Sequence, residues 1–392
     1  MKNQKKIMTV GLVCLSLTMG FSCDLKPKTV NQHSSTLAAV PLIEKTKNNT
    51  VKIALLLDTS NSMDGLINQA KSQLWDIVNE FTYAKCGKNN SPELQIAIYQ
   101  YGNNGLSSRE GYIQQVLNFS SDLDEISEKL FSLRTNGGEE YCGEVIQTSL
   151  KQLEWGKNPD NLKMIFIAGN EPFTQGKLNY RDAVTNAKEK DIMVNTIFCG
   201  NYEEGIHTDW KKGAVLSGGE YMAIDHNQKV VHIKTPYDDI IIKLNRKLNG
   251  TYVSYGALGS SKREMQSLQD TNAMELEEAV AVKRAVSKSS RLYNNKNWDL
   301  VDAHADKDFN LDDITKDELP EELQDKSKKE IASYIETKKI EREEIQQKIQ
   351  DFNTKREAYI VKNKTENTSG ELENAMLRAI KKQAKVKNYR WE

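Results

Sequence analysis

The sequence predicts a doubly wound, mainly parallel α/β sheet followed by a densely charged, all-helical region. Three observations carry this. Residues 51–57, 164–168 and 192–198 are continuous apolar runs of strand length, the composition of strands buried on both faces. Stretches of helical period separate them, and strands alternating with helices of ten or more residues build a parallel sheet with helices on its faces. After Gly259 strand patterns stop and Gly and Pro almost vanish.

The elements follow in order. Residues 63–85 carry Leu66, Ile67, Leu74, Ile77, Val78 and Phe81 at helical spacing. Residues 94–101 alternate as a strand, and 112–119 form a second, more polar one suited to a sheet edge. Helices at 123–133 and 142–153 flank a turn at Gly137-Gly138. The strands at 164–168 and 192–198 have helices at 179–189 and 210–216 between and after them. A short strand at 221–224 and a helix at 237–248 close the α/β part. From 262 to 392 there are 26 Lys or Arg and 27 Asp or Glu in 131 residues, so the helices expected at 265–293, 328–363 and 371–388 have mostly solvated faces. Ile345, Ile349, Phe352, Arg356 and Tyr359 are spaced 4-3-4-3 like a coiled-coil seam, but Lys338 and Arg342 fall on its upstream extension. That seam is therefore weak, and packing among the helices or onto the α/β part is expected.

At the end of the first apolar run stand Asp58, Ser60 and Ser62, in the pattern D-x-S-x-S. Ligands of open α/β sheets bind at strand carboxyl ends. Three hard oxygen groups there suit Mg²⁺ or Mn²⁺, with Ca²⁺ a further candidate. Nothing matches zinc-ligand spacing, and the histidines are scattered; His207, His226 and His232 are expected at the surface. Trp210 and Tyr221 are expected to pack, and Glu139 to be a solvated neighbour of the Gly-Gly turn.

The N-terminus has a different logic. Lys2, Lys5 and Lys6 precede an apolar stretch too short to span a bilayer, which closes on Gly20-Phe21-Ser22-Cys23. This resembles a bacterial lipoprotein signal, which implies removal of the segment before a lipidated Cys23. The expected organisation is a signal segment at 1–23, a polar tether at 24–49, an α/β domain at 50–259 and a helical region at 262–392. The expected place is the bacterial cell envelope, facing the periplasm or the exterior, with the membrane engaged through the lipid. A net charge of −1 and interspersed signs give no basis for nucleic-acid binding.

Residues 49–259 resemble a von Willebrand factor A (VWA) domain. The resemblance implies a divalent metal held by Asp58, Ser60 and Ser62 with two later loops. In the second loop, Thr135-Asn136-Gly137-Gly138-Glu139-Glu140, Glu140 stands where the family has threonine, and Thr135 is a second candidate upstream. In the third, Gly169 takes the place of an aspartate, leaving Asn170 or Glu171 to supply an oxygen. With Asp58 and Glu140 both coordinating, a divalent ion is neutralised and its pull on a partner's carboxylate weakens. Residues 135–143 and 166–174 also resemble a subgroup of exported bacterial A-domain proteins of unknown function.

The function implied is a metal-dependent protein-interaction module for adhesion or scaffolding. The alternatives are a metal-assisted hydrolase using Asp58, Glu140 and a metal-bound water, and an envelope spacer built from the helical tail. No G-x-S-x-G elbow or P-loop is present, and no nucleophile stands beside a base, which favours the non-enzymatic reading. Among Cys86, Cys142 and Cys199, the second starts a helix and the third ends a strand at the same end of the sheet. Cys142–Cys199 is therefore the expected disulfide.

Overall fold

A computed structural model describes residues 49–86, 91–228, 232–363 and 371–391. The signal segment, Cys23 and nearly all of the expected tether lie outside the described residues. Strand β1 (Thr50–Asp58) is central, parallel to β3 (Glu93–Tyr101) on one side and β5 (Leu162–Gly169) on the other. Its pleat sends Val51, Ile53, Leu55 and Leu57 into one core and Ala54 and Leu56 into the other, which is why its sequence is apolar without alternation. Antiparallel β4 (Ile113–Ser120) forms one edge. Beyond β5 come β6 (Met193–Cys199) and the short β7 (Tyr221–Ile224), giving the order β4-β3-β1-β5-β6-β7. The chain leaves β1 toward β3 and later returns to β5, so a topological switch point lies between β1 and β5. That is where open α/β sheets place their ligands.

Helix α1 (Asp64–Thr82) follows β1 directly and packs with α2 (Leu123–Ser132) on one face. The opposite face carries α3 (Cys142–Gln152), α4 (Tyr180–Glu189) and α6 (Trp210–Ser217), with a short α5 (Tyr202–His207) that the sequence did not announce. These positions match the expected elements closely. Helix α7 (Asp238–Asn249) ends the α/β part.

The charged region does not stand apart: Lys47–Glu392 is one compact unit. The helix expected at 265–293 is two, α8 (Gly259–Leu276) and α9 (Glu278–Lys288), separated by an extended Glu277 with φ −170° and ψ 144°. No Gly or Pro causes the break. His232 Nδ1 lies 2.7 Å from Glu277, and Lys234 pairs with Glu278 at 3.1 Å, so a loop of the α/β part holds the bend. His232 is correspondingly half-buried, with its side chain only 8% exposed, and not the surface histidine expected.

Helix α11 (Lys328–Asn363) packs within the chain, as the weakness of its seam leads one to expect. Arg342, Ile345, Ile349 and Arg356 do share one buried face, but that face meets α7, α9 and the short α10 (Leu300–His304) of the same chain. Two arginines on this face are paired inside: Arg342, one of the two charges that weakened the seam, with Asp299 (2.7 Å) and Asp302 (2.8 Å), and Arg356 with Asp238 (3.0 Å). Last, α12 (Glu371–Val386) leads to β8 (Tyr389–Trp391), which pairs with β2 (Ala84–Cys86) in a separate two-stranded sheet. Among the described residues no helix is long and apolar enough to cross a membrane.

The expected disulfide does not form. Cys142 and Cys199 are free, buried thiols. Both sit at the carboxyl end of the sheet, as expected, but Cys142 belongs to the α3–α4 core and Cys199 to the α1 core. Phe198 takes the α3–α4 side, so the β6 pleat turns Cys199 to the other face.

Candidate functional site

Asp58 is the last residue of β1 and fully buried. Its Oδ1 accepts a 2.7 Å hydrogen bond from the Ser60 backbone, an Asx turn that redirects the chain into α1. The Ser60 and Ser62 hydroxyls lie 3.3 Å apart, and Asn170 Nδ2 donates to Ser62 Oγ at 3.3 Å. Between Asp58 and Ser60, Thr59 ties this turn to its neighbours. Its N–H donates to the Tyr101 carbonyl (2.9 Å), and its own carbonyl accepts from the Asn136 N–H (2.9 Å).

Glu140 is 4% exposed and converges on Asp58. Gly102 shows how closely: a Cβ there would lie 2.7 Å from Glu140 Cγ and 2.9 Å from Asp58 Oδ1. Its φ of +74° also demands glycine. Gly169 closes the other side, since a Cβ would meet Tyr101 Oη at 2.6 Å and Asp58 Oδ2 at 3.1 Å. The residue standing where the family has aspartate thus leaves room only for the two carboxyls already present. Burial, opposed by hydrogen bonds, raises the Asp58 pKa, and burial together with Asp58 pushes Glu140 up to about 9.

Three buried oxygens here have no hydrogen-bond partner: Asp58 Oδ2, Glu140 Oε2 and Asn170 Oδ1. Buried acceptors are normally satisfied, so a cluster of orphans at a strand-end switch point fits a hard cation as the missing partner. The oxygens able to hold one are those of Asp58, Glu140, Ser60 and Ser62, with Asn170 beside them. Thr135 has its hydroxyl donating to Asp64, which leaves the oxygen's lone pairs available. Glu171 is exposed, and its charge reaches the pair only through space, raising both pKa values. Among the described residues no three His, Cys, Asp or Glu converge, so hydroxyl and amide oxygens must complete any metal shell.

Several supporting residues escaped sequence analysis. Asn103 Nδ2 donates to the Arg134 carbonyl (2.9 Å), stitching the loop after β3 to the Gly-Gly loop. Gln175 accepts from the Glu140 N–H and donates to Glu139, both at 3.2 Å. Glu144 Oε1 accepts from the N–H groups of Lys177 and Leu178, at 2.7 and 2.9 Å, and so anchors the loop that carries Asn170. Trp210 packs as expected, and its indole N–H also holds the Glu171 carbonyl at 2.8 Å. A usable signal existed for one of these: Gly102-Asn103-Asn104-Gly105 follows a buried strand, the same context that exposed D-x-S-x-S.

The von Willebrand factor type A domain model matches residues 52–205. No curated protein matches the sequence. Among solved structures, proximal thread matrix protein 1 from the mussel byssus, with a zinc-occupied MIDAS motif, is 12% identical, with TM-score 0.35, over 46% of this chain and 43% of its own. This chain therefore spans less than half of that protein's length. The conserved hypothetical protein BatB from Bacteroides thetaiotaomicron is 16% identical, with TM-score 0.34, over 45% of this chain and 90% of its own. The sheet order and the matched span agree, and residues 52–205 of this chain form a von Willebrand factor type A domain.

Proposed function

We propose that the chain is a divalent-cation-dependent interaction module, tethered to the bacterial envelope by lipid on Cys23. Domains of this family commonly mediate metal-dependent protein interactions. The observation that carries the reading is the trio of orphaned buried oxygens on Asp58, Glu140 and Asn170 beside two serine hydroxyls. In this reading Asp58 and Glu140 release their retained proton and coordinate Mg²⁺ or Mn²⁺. Ser60 and Ser62 add neutral donors, and Asn170 orients Ser62. The ion then presents its remaining coordination to a partner. The basic segment, short apolar stretch and small residues before Cys23 support the lipid anchor. The test is affinity capture from native envelope using the full chain, with Mn²⁺ and with chelator. A partner held only with Mn²⁺ supports the reading, and capture indifferent to chelator sinks it.

A further inference from the structure

We propose that Lys288 and Asn249 form a self-modification site: the Lys288 amine displaces the amide nitrogen of Asn249, leaving an isopeptide bond between α9 and α7. The two residues meet Asp270 of α8 in one triad, far in sequence from the strand-end carboxyls. Lys288 is fully buried, and its Nζ lies 2.5 Å from Asn249 Oδ1 and 3.0 and 2.9 Å from Asp270 Oδ1 and Oδ2. Asn249 Nδ2 donates to Asp270 Oδ2 at 2.7 Å. The nitrogen that attacks and the nitrogen that leaves are therefore both bonded to one carboxylate. The carbon under attack carries the oxygen that Nζ already touches, and an Asn amide turns about a broad torsion.

Each group is held in the state the reaction needs. Burial lowers the Lys288 pKa to about 8, against the pull of Asp270, so free amine is present near neutral pH. Burial alone would raise Asp270, but Lys288 and Arg284 hold its carboxyl well below the usual carboxylate range. It stays an anion, which makes it a poor electrophile and a good acceptor for both nitrogens. Arg284 fixes that role from the Oδ1 side at 2.7 Å and is itself paired with Asp124 at 2.7 Å. The backbone nitrogen of Gly250 could attack the same Asn249 carbon, but its N–H is held by the Lys247 carbonyl at 3.0 Å.

In the reaction Nζ adds to Cγ of Asn249. The Asp270 carboxylate takes a proton from Nζ and passes it to Nδ2, the Cγ–Nδ2 bond breaks, and ammonia departs. Asp270 is regenerated, and no other reactant enters. A cavity of about 260 Å³, lined among others by Asn245, Asn249, Asp270 and Arg284, gives ammonia a way out. The bond ties the last helix of the α/β part to the helical region across 39 positions of sequence, which restricts the unfolded chain as a disulfide does.

The test is peptide mapping of the purified full chain, incubated overnight at pH 8 and digested with trypsin. The expected product is a branched peptide, residues 248–262 joined to 285–291, lighter than the two together by about 17 Da, the mass of ammonia. Lys288→Arg should give only linear peptides, and Asp270→Asn should form the branch at least about tenfold more slowly. Only linear peptides from the wild type overturn the proposal, as does 248–262 made heavier by about 1 Da through deamidation of Asn249. A branch from Lys288 to Asp270, with loss of about 18 Da as water, overturns the choice of Asn249. A branch that forms as fast in Asp270→Asn overturns the proton relay.

Discussion

Asp58 and Glu140, from the end of the first strand and from the loop before α3, meet as two buried carboxyls across the bare backbone of Gly102. The two side chains lie within hydrogen-bonding reach of each other and of the Ser60 hydroxyl. Two buried acids that converge in this way repel one another when ionised, so the pair retains a proton, which a bound cation would replace.

The first prediction concerns that replacement. Mn²⁺ or Mg²⁺ should raise the melting temperature of the wild type, by a stabilisation of about 2.7 kcal/mol at a hundredfold excess over Kd. Asp58→Ala removes the anionic ligand at the strand end and should abolish the shift. Identical melting of both proteins across a metal titration would show that the cluster is only a turn.

The second prediction follows from the raised pKa of Glu140, about 9 against an ordinary 4.5. A carboxyl whose folded-state pKa is raised contributes stability that is full below pH 4.5 and is lost as the pH climbs through 9. In chelator, the wild type should lose up to about 1.4 kcal/mol per pH unit across that window. Glu140→Gln should flatten the dependence and also weaken the metal-induced shift. Urea unfolding at pH 5, 7 and 9 reads the first effect, and a parallel slope in both proteins would refute it.

Most of the sheet was legible because buried parallel strands must be continuously apolar, and the same rule marked Asp58, Ser60 and Ser62 at a strand end. What escaped depends on tertiary context. The seam on α11 pointed to the right face, but only the fold supplies Asp299, Asp302 and Asp238 to its arginines. The break at Glu277 lies against His232, and Lys234 pairs with the adjoining Glu278, contacts that no local pattern reveals. Three-residue β2 and β8 are too short to leave a pattern. The disulfide expectation considered the end of the sheet and not its face, and one step of pleat separates Phe198 from Cys199.

A third prediction addresses the envelope tether. Cys23→Ser should abolish lipid attachment and release the protein from the membrane fraction. Intact mass and partitioning after a high-salt wash give the answer. A variant that stays membrane-bound would favour an uncleaved anchor at the N-terminus.

The fourth prediction concerns a buried ion cluster within the helical region. Arg342 is 4% exposed and lies 2.7 Å from Asp299 and 2.8 Å from Asp302, with its guanidinium 4.0 Å from the Tyr252 ring centroid. Removing one member of a buried ion pair leaves the other charge uncompensated, which costs about 3–5 kcal/mol. Arg342→Met keeps most of the volume but removes the guanidinium from Asp299, Asp302, Thr251 and the Tyr252 ring. Asp302 is already pushed up to about 6 by burial and Asp299, and without the guanidinium it moves higher. A carboxyl raised further in the folded state stabilises at low pH and loses that contribution as pH rises through its folded value. The variant should therefore be more destabilised at pH 8 than at pH 5, where protonation of Asp302 relieves the cluster. Denaturant unfolding at the two pH values distinguishes the causes: an equal loss at both would mean that Arg342 acts through packing and its hydrogen bonds to Thr251 (3.0 and 2.8 Å), not through the charge of Asp302.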